Sequence, residues 1–166
     1  MLRPLFTLCI LLIAGCGHES TKPVESAELP LDVQIQNVEQ EVAAEIRVTK
    51  PFARSQLPRI VALSNLVRLN LSETDLTDED AKQIAALPML ETLRFSSPTI
   101  TDQTLLYLAT SPTLRHLILS DSPITDAGLA HLAELKTLES LYLTNTRVTD
   151  AGLSALLQRR PTLHVH

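Results

Sequence analysis

Hydrophobic positions recur at intervals of 24 residues from residue 66 onward. The first half of each interval alternates apolar and polar residues, which is typical of a strand, and the second half has the i, i+3, i+4 spacing of a helix. The recurring apolar positions form four columns: Leu66, Leu90, Leu114, Leu138; Leu69, Leu93, Leu117, Leu141; Leu71, Phe95, Leu119, Leu143; and Leu76, Ile100, Ile124, Val148. The pattern predicts one strand and one helix per unit, stacked so that these side chains form a continuous core.

The unit reads L-x-x-L-x-L-x-x-T-x-I-T-D-x-x-L-x-x-L-A-x-L, as in "LRHLILSDSPITDAGLAHLAELKT" at residues 114–137. This motif resembles the leucine-rich-repeat family, in its short bacterial variety with T-D-A-G-L at the turn into the helix. The resemblance implies an α/β leucine-rich-repeat solenoid with parallel strands on the concave side and helices on the convex side. It covers residues 66–166, as four full repeats and one truncated repeat.

Threonine and aspartate recur together just before each predicted helix. A short oxygen-bearing side chain at this place accepts hydrogen bonds from the free amides of the first turn, and an aspartate also suits the positive end of the helix dipole. We therefore interpret these pairs as structural helix caps and not as a catalytic or metal-binding ladder: Thr77, Asp78; Thr101, Asp102; Thr125, Asp126; and Thr149, Asp150. Gly128 and Gly152, just after two of the pairs, are expected to ease the bend of the backbone into the helix.

One column departs from the family pattern. Many leucine-rich repeats place asparagine or cysteine nine residues into the unit, where the side chain bonds loop backbone, whereas this chain has Thr74, Pro98, Ser122 and Thr146. Hydroxyl groups offer a weaker version of the same bond. Proline offers none, so we expect a looser or differently bent loop in the second repeat.

Both ends of the repeat stack need covering. Residues 32–65 are interpreted as an N-terminal cap or degenerate repeat, because Ile60 and Leu63 precede Ile84 and Leu87 by 24 residues. "LDVQIQNV" at residues 31–38 is expected to add a strand. In the truncated last repeat, Leu163 and Val165 border an open strand edge, which is prone to pairing with another chain. We expect either tolerance of this short edge or self-association through it.

The first residues predict export. Residues 1–15 have one positive charge followed by an apolar run that is too short for a stable membrane anchor, which is the form of a secretory signal. The run ends in "IAGC", which resembles the lipobox of bacterial lipoproteins; the alternative is an ordinary signal with a coincidental cysteine. The resemblance implies lipidation of Cys16 (palmitate) and, in a host with two membranes, an outer-membrane location. Residues 16–31 are polar and acidic and are interpreted as a flexible tether.

The outward-facing strand residues are the candidate binding surface. They form columns that vary in size and charge on a regular scaffold, as a binding face requires. Arg94 and Tyr142 are the expected anchors, because guanidinium and aromatic groups dominate binding hot spots. The predicted partner-binding residues are Arg68, Asn70, Arg94, His116, Ile118 and Tyr142. The partner is an unidentified protein, or else a peptide or glycan.

The sequence gives weaker support to other functional classes. Ser120 is too far along its strand from His116 for a hydrogen bond, at about 13 Å by strand rise, and no acid in the columns would orient the imidazole. His164 and His166 would bind a metal weakly, so we expect no metal and no cofactor. The net charge of −5 does not suit a nucleic-acid binder. The sequence therefore predicts a non-catalytic, lipid-anchored binding module; the alternative is a structural envelope lipoprotein without a dedicated ligand.

Overall fold

The computed structural model of the protein describes residues 29–41, 43–48, 52–72 and 74–166. The predicted signal at residues 1–15, the lipidation site Cys16 and the tether up to residue 28 lie outside the described residues. All structural statements below concern the described part of the chain.

Six parallel strands form one sheet in the order in which they follow along the chain. The strands are β1 (Glu45–Arg47), β2 (Arg68–Ser72), β3 (Thr92–Ser96), β4 (His116–Ser120), β5 (Ser140–Thr144) and β6 (His164–Val165). The helices are α1 (Leu31–Glu39), α2 (Leu57–Val61), α3 (Asp78–Ala85), α4 (Asp102–Leu108), α5 (Asp126–Leu132) and α6 (Asp150–Arg159), and a short 3₁₀ helix, Arg54–Gln56, precedes α2.

Each repeat contributes one strand and one helix, and the register repeats with the sequence interval. Leu69 lies opposite Leu93, Leu93 opposite Leu117, and Leu117 opposite Leu141. These leucines are buried, whereas the residues on either side of them in each strand face out of the core. A fully buried leucine contributes about 1.5–3 kcal/mol, so the column stabilises the stack at every step. The predicted α/β leucine-rich-repeat solenoid is confirmed.

The N-terminal end of the sheet is covered by a helix, and the expectation of an extra strand at residues 31–38 is wrong. Ile35 and Val38 are buried, but Val33, which alternation would also bury, is 38% exposed. Helical spacing is what brings the first two onto one face. The side-chain amide of Gln34 bonds the backbone of Arg47 in β1, as acceptor at 2.7 Å and as donor at 2.9 Å. Helix α1 thereby satisfies backbone hydrogen-bonding groups of an edge strand. Leu31, the last residue of the predicted tether, is the first residue of this helix.

At the other end, β6 pairs with β5 in the same parallel register, with Ser140 opposite His164. Leu163 is buried, whereas Val165 is partly buried. Self-association through the outer edge of β6 stays a prediction.

The loop of the second repeat is bonded in spite of its proline. Ser97 is fully buried, and its hydroxyl donates to the carbonyl of Leu76 at 3.2 Å. The hydroxyl of Thr99 donates to the same carbonyl. The two neighbours of Pro98 thus replace the missing side-chain bond and tie this loop to the preceding repeat. A looser or differently bent loop stays a prediction.

Threonine and aspartate of the repeated pair have different roles. Threonine is the N-cap residue: the hydroxyls of Thr101 and Thr125 accept from backbone amides two residues ahead at 3.2 and 3.3 Å. The aspartate is the first helical residue, and its carboxylate bonds the next repeat instead of its own helix. It accepts from both the backbone amide and the hydroxyl of the following threonine in three successive pairs: Asp78 with Thr101, Asp102 with Thr125, and Asp126 with Thr149. We call this contact the Asp–Thr clamp.

For Asp78, Asp102 and Asp126 the expectation that the carboxylate caps its own helix is therefore wrong, although each lies in the first helical turn as expected. The reason is geometric: each threonine hydroxyl accepts from its own helix while donating its proton to the carboxylate of the preceding repeat. Hydrogen bonds to an ionised carboxylate are roughly twice as strong as neutral ones. Each clamp therefore links the start of one helix to the start of the next.

The glycines of T-D-A-G-L make room for the clamp. Gly128 has no positive φ, so the expectation that it eases a backbone bend is wrong. A Cβ at Gly128 would lie 3.0 Å from the carboxyl carbon of Asp102 and still closer to its Oδ1. At Gly152 the added atom would lie 2.8 Å from Cβ of Asp126. In the earlier repeat the same position holds Thr104, whose hydroxyl donates to Asp78 at 2.6 Å.

The first clamp is built with the charges exchanged. Arg54 occupies the place of the aspartate, 24 residues before Asp78. Its guanidinium donates to the hydroxyl of Thr77 at 2.7 Å and forms an ion pair with buried Asp80 at 2.8 Å. Asp80 in turn accepts from the amide of Thr77 at 2.9 Å. The degenerate segment before the repeats is thus joined to them by the same contact in modified form.

The clamp stabilises the ionised form of the aspartates. The hydroxyl and then the amide of Thr149 lower the pKa of Asp126 below its ordinary value of 3.8. Burial by itself would raise the pKa of Asp78, but the hydrogen bonds from Thr104 and Thr101 outweigh it and lower the pKa. Folding therefore favours the charged carboxylate at both positions.

We expect Gly128→Ala to destabilise the fold by about 1–3 kcal/mol, because the new methyl group overpacks against Asp102. In an ordinary helix position, alanine would instead stabilise by about 0.5–1 kcal/mol. In an Asp102→Ala background the penalty should shrink, since the carboxylate is gone and only the close contact with Leu105 Cδ1 at 3.0 Å remains. Urea denaturation of the two single variants and the double variant measures this coupling. Equal penalties in the two backgrounds would contradict the role given to the glycine.

We also expect the stabilising effect of Asp126 to depend on pH. A carboxyl whose pKa is lowered by folding contributes stability above its unfolded pKa, and this contribution is lost as the pH falls through the folded pKa. Asp126→Asn should therefore have a lower melting temperature than the wild type at neutral pH, and the difference should shrink below the ordinary value of 3.8. The control is Asp75→Asn, which removes an exposed carboxylate outside the clamp. A constant difference across the titration would exclude this account.

Candidate functional site

The concave face consists of three columns of outward-facing side chains. Parallel pairing fixes their neighbours, because residues in register on adjacent strands lie about 4.8 Å apart. The first column is Glu45, Arg68, Thr92, His116, Ser140, His164. The second is Arg47, Asn70, Arg94, Ile118, Tyr142, and the third is Ser72, Ser96, Ser120, Thr144. The six predicted partner-binding residues thus lie in two adjacent columns of one face.

Two of these six residues form polar side-chain contacts with other residues of the chain. The guanidinium of Arg68 lies 3.8 Å from the carboxylate of Glu45, although 61% of the Arg68 side chain remains exposed. Asn70 accepts from the amide and the hydroxyl of Ser72 at 3.0 and 2.8 Å. Asn70 therefore shapes its own strand, whereas Arg68 keeps donors available to a partner.

The centre of the face combines a cation with an apolar side chain. Arg94 is exposed in β3, and its guanidinium forms no hydrogen bond or ion pair with the residues that the structure describes. Ile118, its register neighbour in β4, is half-buried. A flexible guanidinium beside an aliphatic surface can form ionic hydrogen bonds while its stem packs on the neighbour.

Tyr142 is one half of an aromatic pair. Its ring is stacked on the imidazole of His166, with centroids 4.3 Å apart and an interplanar angle of 11°. The phenol remains 39% exposed. Stacking holds the ring in place, so a partner would meet a surface that is already ordered. The sequence pattern suggested His166 only as a weak metal ligand. It lies 24 residues after Tyr142, so the second concave column, continued by one repeat, ends at this residue.

The histidines of the concave face are spread along it. His116 and His164 share a column with Ser140 between them, which separates their strands by about 9.6 Å. The described residues contain no group of three or more histidine, cysteine, aspartate or glutamate side chains placed to hold a metal ion.

A further polar contact borders the face where the strands end. Asp121 accepts from the hydroxyl of Ser96 at 3.2 Å and from the side-chain amide of Asn145 at 2.8 Å. Both Asp121 and Asn145 have φ of 52°, a left-handed conformation that aspartate and asparagine tolerate better than most residues. This contact joins three successive repeats. It is not visible in the sequence, because no residue type recurs at the positions of Asp121 and Asn145.

The comparisons with known proteins agree with this architecture. Residues 62–85, 110–133 and 134–157 match the family model described as Leucine Rich repeat. The unmatched repeat between the first two segments is the one with Pro98 in its loop. No curated protein matched the chain. The chain therefore carries leucine-rich repeats in a leucine-rich-repeat fold.

Two solved structures are similar to the chain. A leucine-rich-repeat protein of Leptospira interrogans is 18% identical with a TM-score of 0.53, and the match covers 84% of this chain and 34% of that chain. This chain thus spans about a third of the length of that protein. Leiomodin-1 actin-binding site 2 is 16% identical with a TM-score of 0.48, over 84% of this chain and 81% of that chain.

These findings suggest a protein-binding module. The matching family model describes repeats and not an enzyme, and leucine-rich repeats are in general interaction modules. Among the described helices, none has both the length and the apolar character that a bilayer crossing requires.

Proposed function

We propose that this chain is a non-catalytic protein-binding module that binds its partner through the concave strand face. The observation that carries the proposal is the presence of two exposed side chains in one column of that face: the Arg94 guanidinium has no hydrogen bond or ion pair among the described residues, and the Tyr142 ring is ordered by stacking yet exposed. Side chains that are fixed before binding lose less conformational entropy on binding.

We further propose that the module is presented at the cell envelope by a lipid on Cys16, and at the outer membrane in a host that has two membranes. The support is the sequence "IAGC" after a short apolar run. Residues 17–30 would then separate the lipid from helix α1. Several acyl chains on one cysteine would anchor firmly, at about 0.8 kcal/mol per buried CH₂ group.

Replacing Arg94 and Tyr142 together by alanine should abolish capture of the partner, because hot-spot residues of these types cost about 2 kcal/mol or more each when truncated. The partner is first identified by cross-linking in the native envelope, and capture is then measured by pull-down with the purified variant. A matched control is Lys82→Ala with Met89→Ala, which truncates two exposed side chains outside the strands. Undiminished capture by the concave double variant would refute binding through this face.

Replacing Cys16 by serine should release the protein from membranes, since serine cannot carry the thioether-linked lipid. The measurement is the distribution of the protein between membrane and soluble fractions after high-salt washing, which removes electrostatic binding. Cys9→Ser, inside the predicted signal, is the control and should leave the distribution unchanged. Continued membrane association of the Cys16 variant would sink the lipid-anchor proposal.

A further inference from the structure

Charge is distributed unevenly between the concave face and the rest of the chain. The chain has 19 acidic residues and a net charge of −5. The six described strands nevertheless contain a single carboxylate, that of Glu45 in β1, which pairs with Arg47 at 3.5 Å and Arg68 at 3.8 Å. The strands from β2 to β6 carry arginine and histidine but no acid, and the carboxylate of Asp121 at the border of the face accepts hydrogen bonds from Ser96 and Asn145. An acidic protein thus presents a basic strand face.

A cleft at one border of this face is also basic. It has a volume of about 540 Å³ and lies at the amino ends of β5 and β6, and Ser140 and His164 belong to both the cleft and the first concave column. Its cationic lining residues are Arg115, Lys136 and Arg160. Arg115 pairs with Glu139 and Lys136 lies 4.0 Å from a carboxylate oxygen of Glu134, so Arg160 is the lining cation without a carboxylate partner among the described residues. The cleft therefore extends the basic surface beyond the strands.

Arg160 supplies a fixed positive charge at the base of this region. The residue is only 7% exposed, and its guanidinium donates to the carbonyls of Leu135, Lys136 and Leu138. Carbonyl groups satisfy its hydrogen bonds but do not neutralise its charge. A positive charge held in a partly desolvated cleft attracts anions more strongly than the same charge in open water.

Apolar groups interrupt the basic surface. Ile118 and Tyr142 lie next to each other in the second column, directly beside Arg94. A purely anionic polymer would leave these two side chains without a complementary group. A polypeptide can present carboxylates and an apolar side chain together, and about eight extended residues cover the roughly 24 Å from β1 to β6.

We propose that the concave face and its bordering cleft recognise an acidic polypeptide segment that carries an aromatic or aliphatic side chain. Carboxylates of the segment pair with Arg94, Arg68 and the cleft, and its apolar side chain packs on Ile118 and Tyr142. This inference rests on the proposed function, because it names the class of partner that the concave face accepts.

The test is fluorescence anisotropy of a labelled peptide of about 12 residues, made of glutamate and serine around one central phenylalanine. We expect binding that weakens as salt is raised, and no binding of the peptide in which lysine replaces glutamate. Arg94→Glu should weaken binding of the acidic peptide about tenfold or more. Arg147→Glu is the matched control: it changes the charge equally, in the exposed loop after β5, and should have a much smaller effect.

Further arms separate the sources of binding. Replacing the central phenylalanine by serine, or Tyr142 by alanine, should weaken the acidic peptide several-fold, whereas polygalacturonate should bind weakly. Equal losses from the Arg94 and Arg147 variants would overturn a local site in favour of general attraction. Tight polygalacturonate binding together with indifference to the phenylalanine would overturn the polypeptide class. Arg94→Gln removes the positive charge without adding a negative one. Circular dichroism of every variant checks that lost binding is not caused by unfolding.

The same variants distinguish this inference from the proposed function. If no acidic peptide binds but the Arg94 and Tyr142 double variant still loses the captured partner, the concave face binds and the acidic class is wrong. If the double variant keeps the captured partner, binding through the concave face is itself wrong.

Discussion

The solenoid depends on a contact that each repeat makes with the next one. Leucine burial drives the stacking, but it is non-directional and sets no register between helices. The Asp–Thr clamp does set it, because the aspartate bonds both the amide and the hydroxyl of a threonine one repeat ahead. The carboxylate of Asp102 accepts from the amide of Thr125 at 2.7 Å and from its hydroxyl at 2.6 Å. Each helix start is thereby placed relative to the preceding one, while the strands are placed by the sheet.

The clamp also explains which residue types occur together in successive repeats. At positions 128 and 152 the carboxylate of the preceding repeat lies so close that a side chain would collide with it, and glycine is found there. At position 104 the residue is a threonine whose hydroxyl donates to that carboxylate. Where arginine replaces the aspartate at 54, aspartate appears at 80 and restores the pairing. The residue three positions after each cap is therefore determined by the side chain of the preceding repeat and not by the conformation of its own backbone.

The periodic part of the fold was predictable, and the contacts between repeats were not. Apolar columns at a constant interval determine strands, helices and the outward-facing columns, because these follow from spacing alone. The direction of the Asp78 carboxylate does not, since a helix cap and an inter-repeat bond need the same residue types. Helix α1 was missed because Leu31, Val33 and Ile35 fit alternation, while Leu31, Ile35 and Val38 fit a helix equally well. Burial of Val38 and exposure of Val33 decide between the two.

The clamp also bears on the charge of the binding face. Aspartates that hold the repeats together lie at the helix starts, so three of the chain's carboxylates are committed to bonds away from the strands. The strand columns need no charge for stability, since Leu93 and its register neighbours already supply the core. Their outward residues differ from repeat to repeat, and from β2 to β6 they include arginine but no acid. Stability and recognition thus use separate positions of the same repeat, which allows a basic face on an acidic protein.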